Sequence, residues 1–241
     1  MARFRSMAGA LSLLSAFLLV LFLVPVMAQA QQAQDYVGRF DAFTGFSYMA
    51  SPDFNLYQRG FNGEFGVNVR RWLALGGDFS VLDGNTSILP NELTPALQTE
   101  LGAEIGALGG LPPGYTLYVP FNAKTYTFAA GPQINFRQLK YVTFFVRPDL
   151  GAIHENATLK PRDPIQTIVV QALAPSGNKT DTTVFYGVGG GFDVNASKHV
   201  ALRVTVDYVH CHLFSDLLDS SRNTVRLSIG PTFRFGKNVE K

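Results

Sequence analysis

The chain has 241 residues, of which 16% are charged, and it carries 23 Gly and 20 Phe. Disordered chains, coiled coils and nucleic-acid binders are all rich in charged residues, so this composition excludes them and no nucleic-acid partner is expected. The net charge of +2 includes Arg3 and Arg5, and without these two the remaining 18 basic residues equal the 18 acidic ones.

The first thirty residues have the pattern of a secretory signal peptide. Arg3 and Arg5 precede an apolar run at 11–26, and the small residues of Ala28-Gln29-Ala30 follow it. This order predicts cleavage after Ala30 and export through the general secretory route. The apolar run has 16 residues, fewer than the roughly 20 of a membrane-spanning helix. Residues 31–38 would then form a short N-terminal periplasmic segment.

Alternation of apolar and polar residues with a period of two recurs eight times after this segment and predicts an all-β chain. The predicted strands are 39–50, 61–70, 73–81, 123–136, 141–154, 182–195, 200–210 and 224–235. The long connections between them are 51–60, 82–122, 155–181 and 211–223, and the short ones are 71–72, 137–140 and 196–199. Because long and short connections alternate, antiparallel pairing would bring all the long ones to one end.

The two faces of these strands differ in charge. One face is apolar and aromatic, and Lys124 at a strand end is its one formal charge. The opposite face carries six acidic and six basic residues, which are Arg39, Asp41, Glu64, Arg70, Asp78, Arg147, Asp149, Asp193, Arg203, Asp207, Arg226 and Arg234. Such strict segregation indicates that the two faces meet two different environments.

Alternation alone does not say which face is inside. A soluble lipocalin-like barrel turns its apolar face inward around a ligand, whereas an outer-membrane barrel turns that face outward to lipid. Aromatic residues near both strand ends, a glycine-rich charged face and strands long enough to cross a bilayer favour the second fold. We therefore predict a closed antiparallel eight-stranded transmembrane β-barrel in contact with outer-membrane lipid, with a lumen plugged by paired charges.

Several phrases of the sequence resemble the small eight-stranded outer-membrane β-barrel family, relatives of the transmembrane domain of outer-membrane protein A. They are Phe43-Thr44-Gly45-Phe46-Ser47-Tyr48, Gly189-Gly190-Gly191-Phe192-Asp193-Val194 and Arg203-Val204-Thr205-Val206-Asp207-Tyr208. The resemblance spans about 39–236. It implies an integral protein of the outer membrane of a Gram-negative-type bacterium, with both termini in the periplasm and the long loops outside.

The last predicted strand resembles the signal that this family presents to the barrel-assembly machinery. Gly230, Phe233 and Phe235 have the spacing of that signal, and the resemblance implies that the machinery binds the chain during insertion. Family members often end on the terminal aromatic residue. Here the predicted barrel extends to residue 236, and a C-terminal tail, 237–241, follows it. Deleting Gly236 to Lys241 is therefore expected to leave assembly unchanged or improved.

Few residues suggest chemistry. His210-Cys211-His212 are three possible metal ligands in a row, but adjacent strand residues point to opposite faces, so we predict no metal site and no cofactor. Small outer-membrane barrels include lipid acyltransferases and deacylases, and His154, Ser215 and Asp216 lie with His210 toward the loop end. Nothing in the sequence pairs a base with a nucleophile, so we predict no enzyme and keep a lipid-modifying enzyme as an alternative.

Two long loops contain apolar segments. In loop 82–122, Leu97, Leu101, Ile105 and Leu108 recur on one face of a short predicted helix. Loop 155–181 holds a second apolar run at 165–170. These segments either cap the barrel mouth or bind a surface partner. The predicted role is therefore structural or adhesive, and the alternatives are a narrow pore for small solutes, the lipid-modifying enzyme and the soluble ligand binder.

Overall fold

The computed structural model describes residues 36–107 and 109–240, so the predicted signal peptide and Leu108 lie outside the described residues. Eight strands form one closed barrel in which each strand pairs antiparallel with the next and the last with the first. They are β1 (Gly38–Ser51), β2 (Leu56–Asn68), β3 (Leu73–Ile88), β4 (Val119–Phe136), β5 (Val142–Leu159), β6 (Asn178–Asn195), β7 (Val200–Cys211) and β8 (Arg222–Asn238). The predicted fold class is confirmed.

The apolar face of the barrel lies outside. Phe128, Leu150 and Val184 are 61%, 68% and 75% exposed, whereas Asp207 and Arg226, on the alternate positions of the wall, are buried. A soluble barrel would bury the first set and expose the second. The exposure pattern therefore excludes an apolar-lined, lipocalin-like interior in this chain.

The strands extend beyond the predicted limits, mostly at the loop end. β3 ends at Ile88 and β5 at Leu159, past the predicted ends at 81 and 154. Both faces of these extensions carry polar residues, so the alternation that predicts a strand fades there. The connection between β1 and β2 shrinks to the four residues 52–55, and its prediction as a long loop is wrong.

The barrel also reaches closer to both termini than the sequence predicts. β1 begins at Gly38, and β8 continues to Asn238, inside the segment that was expected to be a separate tail. The backbone N–H of Val239 donates to the carbonyl of Val37 at 2.9 Å. Both described chain ends thus lie together at the end with the short turns.

Two helices lie in the long loops. α1 (Pro95–Ala107) confirms the helix predicted from the leucine spacing, whereas α2 (Pro164–Leu173) was not predicted. The apolar residues Ile165, Ile168 and Val169 have helical spacing, but the six residues 165–170 span less than two turns and so show too little of a period to predict a helix. The signal lies just before it, because Asp163 is the N-cap and Pro164 occupies the first turn. Among the described residues, no helix is long and apolar enough to cross a membrane.

Candidate functional site

The barrel interior holds a continuous network of ion pairs. Ten of the twelve charges predicted for the lumen are buried there, and they are Asp41, Glu64, Asp78, Arg147, Asp149, Asp193, Arg203, Asp207, Arg226 and Arg234. Their register explains the pairing, since Asp41 lies directly opposite Arg234 and Asp193 directly opposite Arg203 on neighbouring strands. Opposite charges at such cross-strand positions stabilise a sheet.

Arg147 on β5 is the centre of this network. Its guanidinium lies 3.0 Å from Glu64 Oε1, 3.0 Å from Asp207 Oδ1, 3.3 Å from Asp149 Oδ2 and 3.7 Å from Asp78 Oδ2. These four carboxylates belong to β2, β7, β5 and β3. One side chain therefore connects opposite walls of the barrel.

The network continues from Asp207 and Glu64 to the rest of the interior. Arg226 Nη2 lies 3.0 Å from Asp207 Oδ2 and its Nη1 lies 2.9 Å from Asp78 Oδ1. Arg203 donates to Asp193 at 2.8 Å and to Glu64 at 2.9 Å, and its guanidinium lies over the ring of Phe145 at 4.8 Å. Most of these contacts have the short lengths of charge-assisted hydrogen bonds.

Glycines on the inner face make room for these long side chains. A Cβ on Gly189 would lie 2.0 Å from Asp207 Oδ1, and a Cβ on Gly191 would lie 2.0 Å from the carbonyl oxygen of Val204. Both positions therefore need a residue without a side chain. The space left around Asp78, Arg147 and Arg203 is a cavity of about 30 Å³, enough for two or three water molecules at about 10–15 Å³ each.

The interior also contains three charged residues that were not predicted from the sequence. Arg137, in the turn after β4, donates to Asn68 Oδ1 at 3.0 Å and lies 4.0 Å from Asp41. At the loop end, Arg222 Nη1 lies 2.7 Å from Glu155 Oε2. Glu155 and Arg222 occupy inward positions of β5 and β8 once the predicted alternation is continued past its assigned ends, whereas Arg137 lies beyond the end of β4. Longer strand limits would therefore have revealed Glu155 and Arg222.

Arg39 and Arg70 do not join this network, and their prediction as lumen charges is corrected. Both side chains are exposed at the end with the short turns. The pairing of β1 with β8 shifts register between Gly38 and Phe40, which is where Arg39 lies, and such irregularities re-aim side chains. Arg70 lies in the turn after β2 has ended. Alternation assigns a face only where a strand pairs regularly.

The loops form a folded cap over the opposite end of the barrel, and its described residues are 89–107, 109–118, 160–177 and 212–221. Leu101 of α1 packs with Val169, Val170 and Leu173 of α2, and all four are buried. The loop after β7 joins them, since the N–H of Thr94 donates to the carbonyl of Leu217 at 2.9 Å. The apolar segments of the loops therefore pack against one another.

Little free space remains between the cap and the barrel. Phe54, Leu173, Phe214 and Leu218 surround a mostly apolar cavity of about 60 Å³. A cavity of about 150 Å³ is the size that takes up benzene in an engineered protein. The space under the cap is smaller than that, so packed side chains fill most of this region.

Two carboxylates in the cap have shifted pKa values. The N–H of Gln166 donates to Asp163 Oδ1 at 2.8 Å, and this bond, assisted by the hydroxyl of Tyr115, lowers the pKa of Asp163. Burial raises the pKa of Glu92, against the opposing effect of a hydrogen bond from the N–H of Leu89. Asp163 thus links α2 to the loop that carries α1.

The residues considered for chemistry do not form one site, although the rings of His210 and His212 pack edge to face with centroids 5.1 Å apart. Cys211 is buried inside, whereas His212 is exposed and His210 Nδ1 donates to Asn223 Oδ1 at 2.8 Å. The described part of the chain has no cluster of three or more metal-ligating side chains. His154 bonds Thr182, and Asp216 pairs with Lys179. No contact joins a histidine to Ser215 or Asp216 among the described residues.

The last strand has the geometry expected from its spacing. Phe233 and Phe235 are exposed on the outer face, and Gly230 is buried on the inner face. A Cβ on Gly230 would lie 2.1 Å from the carbonyl oxygen of Thr44. Gly230 is therefore required by the close approach of β8 to β1, independently of any recognition during assembly.

A family model for the outer membrane protein beta-barrel domain matches residues 16–235. The chain belongs to this outer-membrane β-barrel family. The predicted family and location, integral in the bacterial outer membrane, are thereby confirmed. In barrels of this type the short turns face the periplasm and the longer loops face outward, so the cap lies at the cell surface.

Solved structures share the fold at low identity. Neisserial surface protein A is 13% identical with a TM-score of 0.50, and the match covers 81% of this chain and 96% of that one. Ail of Yersinia pestis is 11% identical, with coverages of 84% and 100% and a TM-score of 0.44. OprG from Pseudomonas aeruginosa is 10% identical, with coverages of 86% and 100% and a TM-score of 0.46. Among curated protein sequences, none matches the chain.

Proposed function

We propose that the protein is a closed outer-membrane barrel that carries a folded cap at the cell surface and meets surface partners through that cap. The observation that supports closure most strongly is the contact of Arg147 with carboxylates from four strands. An eight-stranded barrel is just wide enough for its interior to be filled by side chains. Paired charges in that position block the path of a solute.

Closure is tested by recording ion conductance across planar bilayers that contain the purified protein. The proposal predicts that wild-type protein gives no stable conductance. A steady, unitary conductance from folded protein would contradict it and would favour the narrow pore that the sequence left open. Heat-dependent gel mobility shows in parallel that the inserted protein is folded.

The proposed surface role rests on the outward side of the cap. The apolar residues of α1 and α2 pack inward, so the exposed side chains are largely polar. Among the exposed charged residues of the cap, the acidic Glu100, Glu104, Asp216 and Asp219 outnumber the basic Lys160 and Arg162. An acidic surface attracts partners that carry basic groups and repels acidic ones.

A fluorescent oligolysine peptide provides a direct probe of this acidic surface. Detergent-purified wild-type protein is expected to bind it, and a variant with Glu100→Gln, Glu104→Gln and Asp219→Asn is expected to bind it several-fold more weakly. Added salt should weaken the wild-type interaction, because surface charges are screened. Equal binding by wild type and variant would contradict a cap that recognises basic partners.

A further inference from the structure

Arg39 and Arg70 lie at a periplasmic groove that neither the interior network nor the cap includes. The groove is lined by Arg39, Phe40, Val69, Arg70 and residues 236–240, and its volume is about 610 Å³. Lys237, near the end of strand β8, contributes a third basic side chain. The groove therefore combines charged and apolar side chains at one edge of the barrel.

The three basic side chains of the groove have no acidic partner. Within residues 36–107 and 109–240, Arg39, Arg70 and Lys237 form no ion pair. All three are exposed. Arg147, Arg203 and the other interior arginines, in contrast, each contact at least one carboxylate. Glu240 also lines the groove, which thus presents three basic side chains and one acidic one.

The other side of the groove continues into the lipid-facing wall. The ring of Phe40 stacks on Phe235 with centroids 5.6 Å apart and on Phe65 with centroids 6.0 Å apart. Val69, at the end of β2, is exposed beside them. Basic groups and apolar groups therefore meet at the depth where lipid headgroups begin, as in the interfacial girdles of membrane barrels.

The distribution of charge along the barrel axis also favours an anionic ligand at this groove. Among the described residues, the exposed side chains at the periplasmic end include Arg39, Arg70, Lys140, Lys198 and Lys237 but a single acid, Glu240. The outer end is acidic in comparison. A surface of this sign attracts anionic lipid headgroups and does not select zwitterionic ones.

We propose that this groove binds the headgroup of an anionic glycerophospholipid of the inner leaflet. The lipid phosphate would lie between Arg39, Arg70 and Lys237, and an acyl chain would follow Phe40 and Val69 along the wall. Guanidinium groups suit this ligand because they donate two parallel hydrogen bonds to a phosphate. The inference rests on the membrane location and not on the proposed surface role.

Trp72, the single tryptophan of the chain, provides the readout. It lies in the turn between β2 and β3, two residues from Arg70, and is 57% exposed. The full-length mature protein is reconstituted in phosphatidylcholine bilayers that contain a small fraction of nitroxide-labelled phosphatidylglycerol or nitroxide-labelled phosphatidylcholine. The proposal predicts stronger quenching of Trp72 by labelled phosphatidylglycerol, and this excess should decrease as salt is added.

The variant Arg39→Gln, Arg70→Gln is compared with the charge-matched control Lys140→Gln, Lys198→Gln. A surface cation near the headgroups contributes up to about a fivefold preference for anionic lipid. The groove variant, which loses two cations, should therefore lose several-fold and up to about 25-fold of the preference, whereas the control should retain most of it because Lys140 and Lys198 lie outside the groove. An equal loss in both variants, or no preference in wild type, would overturn the proposal. Heat-dependent gel mobility establishes that each variant is folded.

Discussion

Arg147 shows how one residue can depend on many others. Its guanidinium is buried, and removing such a group from water has a large cost that only well-formed ion pairs offset. Four carboxylates lie within 4 Å of it. These carboxylates would in turn repel one another without it, because Glu64 and Asp78 lie directly opposite each other on β2 and β3. The network is therefore stable as a unit and fragile to single losses.

Replacing Arg147 by Ala should lower the free energy of unfolding by about 3–5 kcal/mol, the usual loss when one partner of a buried ion pair is removed. The measurement is urea unfolding in lipid vesicles. Arg59→Ala is the control, because Arg59 is exposed on β2 and surface substitutions change stability by about 0.5 kcal/mol or less. Similar losses in both variants would show that the ion pairs of Arg147 contribute no more to the free energy of unfolding than an exposed side chain does.

Gly189 and Gly66 form a matched pair of inner-face glycines. A Cβ on Gly189 would lie 2.0 Å from Asp207 Oδ1, whereas a Cβ on Gly66 would meet nothing closer than 3.9 Å. Gly189→Ala should therefore displace Asp207 from Arg147 and cost about 1–3 kcal/mol. Gly66→Ala should have a much smaller effect in the same unfolding assay. A larger loss of stability in Gly66→Ala than in Gly189→Ala would contradict the packing described for the interior.

At the scale of elements, β8 both closes the barrel and carries the predicted assembly signal. Phe235→Ala is expected to deplete the protein from the outer membrane and to leave unfolded chain in the periplasm. Phe128→Ala removes an equally outward ring from β4 and should leave abundance normal. Quantitative blots of membrane and periplasmic fractions make the comparison. Equal depletion would mean that Phe235 acts only as an apolar residue of the wall.

Deletion of residues 236–241 separates assembly from stability. Insertion should persist, because the deleted chain ends on Phe235. The barrel should unfold more readily, because Asn238 and Val239 both bond to Val37 and each hydrogen bond contributes about 0.5–1.5 kcal/mol. Fractionation and urea unfolding of the deleted protein measure the two effects. Failure of insertion would show that the signal extends past Phe235.

α2 depends on the ionised form of its N-cap. Asp163 has a lower pKa in the folded protein than in the unfolded chain, so its stabilisation is complete above the ordinary carboxyl pKa and is lost as the pH falls through the lowered value. The hydrogen-exchange protection of the Gln166 amide should therefore decrease in acid. In Asp163→Asn the side chain still caps but does not titrate, so its protection should not follow pH in this way. Identical pH profiles would contradict this role of Asp163.

The sequence predicted the parts of the strands that have lipid on one face and the charged lumen on the other. It missed the strand ends and α2, which do not separate two such environments. All eight strands followed from alternation because one face meets lipid and the other meets charge. Glu155 and Arg222 were missed because the strands there extend among polar residues on both sides. Arg39 and Arg70 were misplaced because a register shift and a turn override alternation. α2 was missed because the segment 165–170 spans less than two turns and shows too little of a helical period, although the capping residues Asp163 and Pro164 were visible.

At the scale of the whole molecule, the proposed sealing of the barrel uses two different means along its axis. Ion pairs around Arg147 fill the interior, and the pair Arg222–Glu155 lies between them and the cap. Above that pair, the apolar side chains of α1, α2 and the loop after β7 pack together. Charge is also unequal between the ends, with exposed basic side chains predominating toward the periplasm and a small excess of acidic ones outside.

Labelling of Cys211, the single cysteine of the chain, tests this sealing most directly. Cys211 lies inside the barrel wall under the cap, 1% exposed and packed with Phe185 and Phe214. A charged, membrane-impermeant maleimide added to folded wild-type protein in vesicles should react with it many times more slowly than with the urea-unfolded chain. Rapid labelling of the folded protein, at a rate close to that of the unfolded chain, would contradict a closed outer mouth.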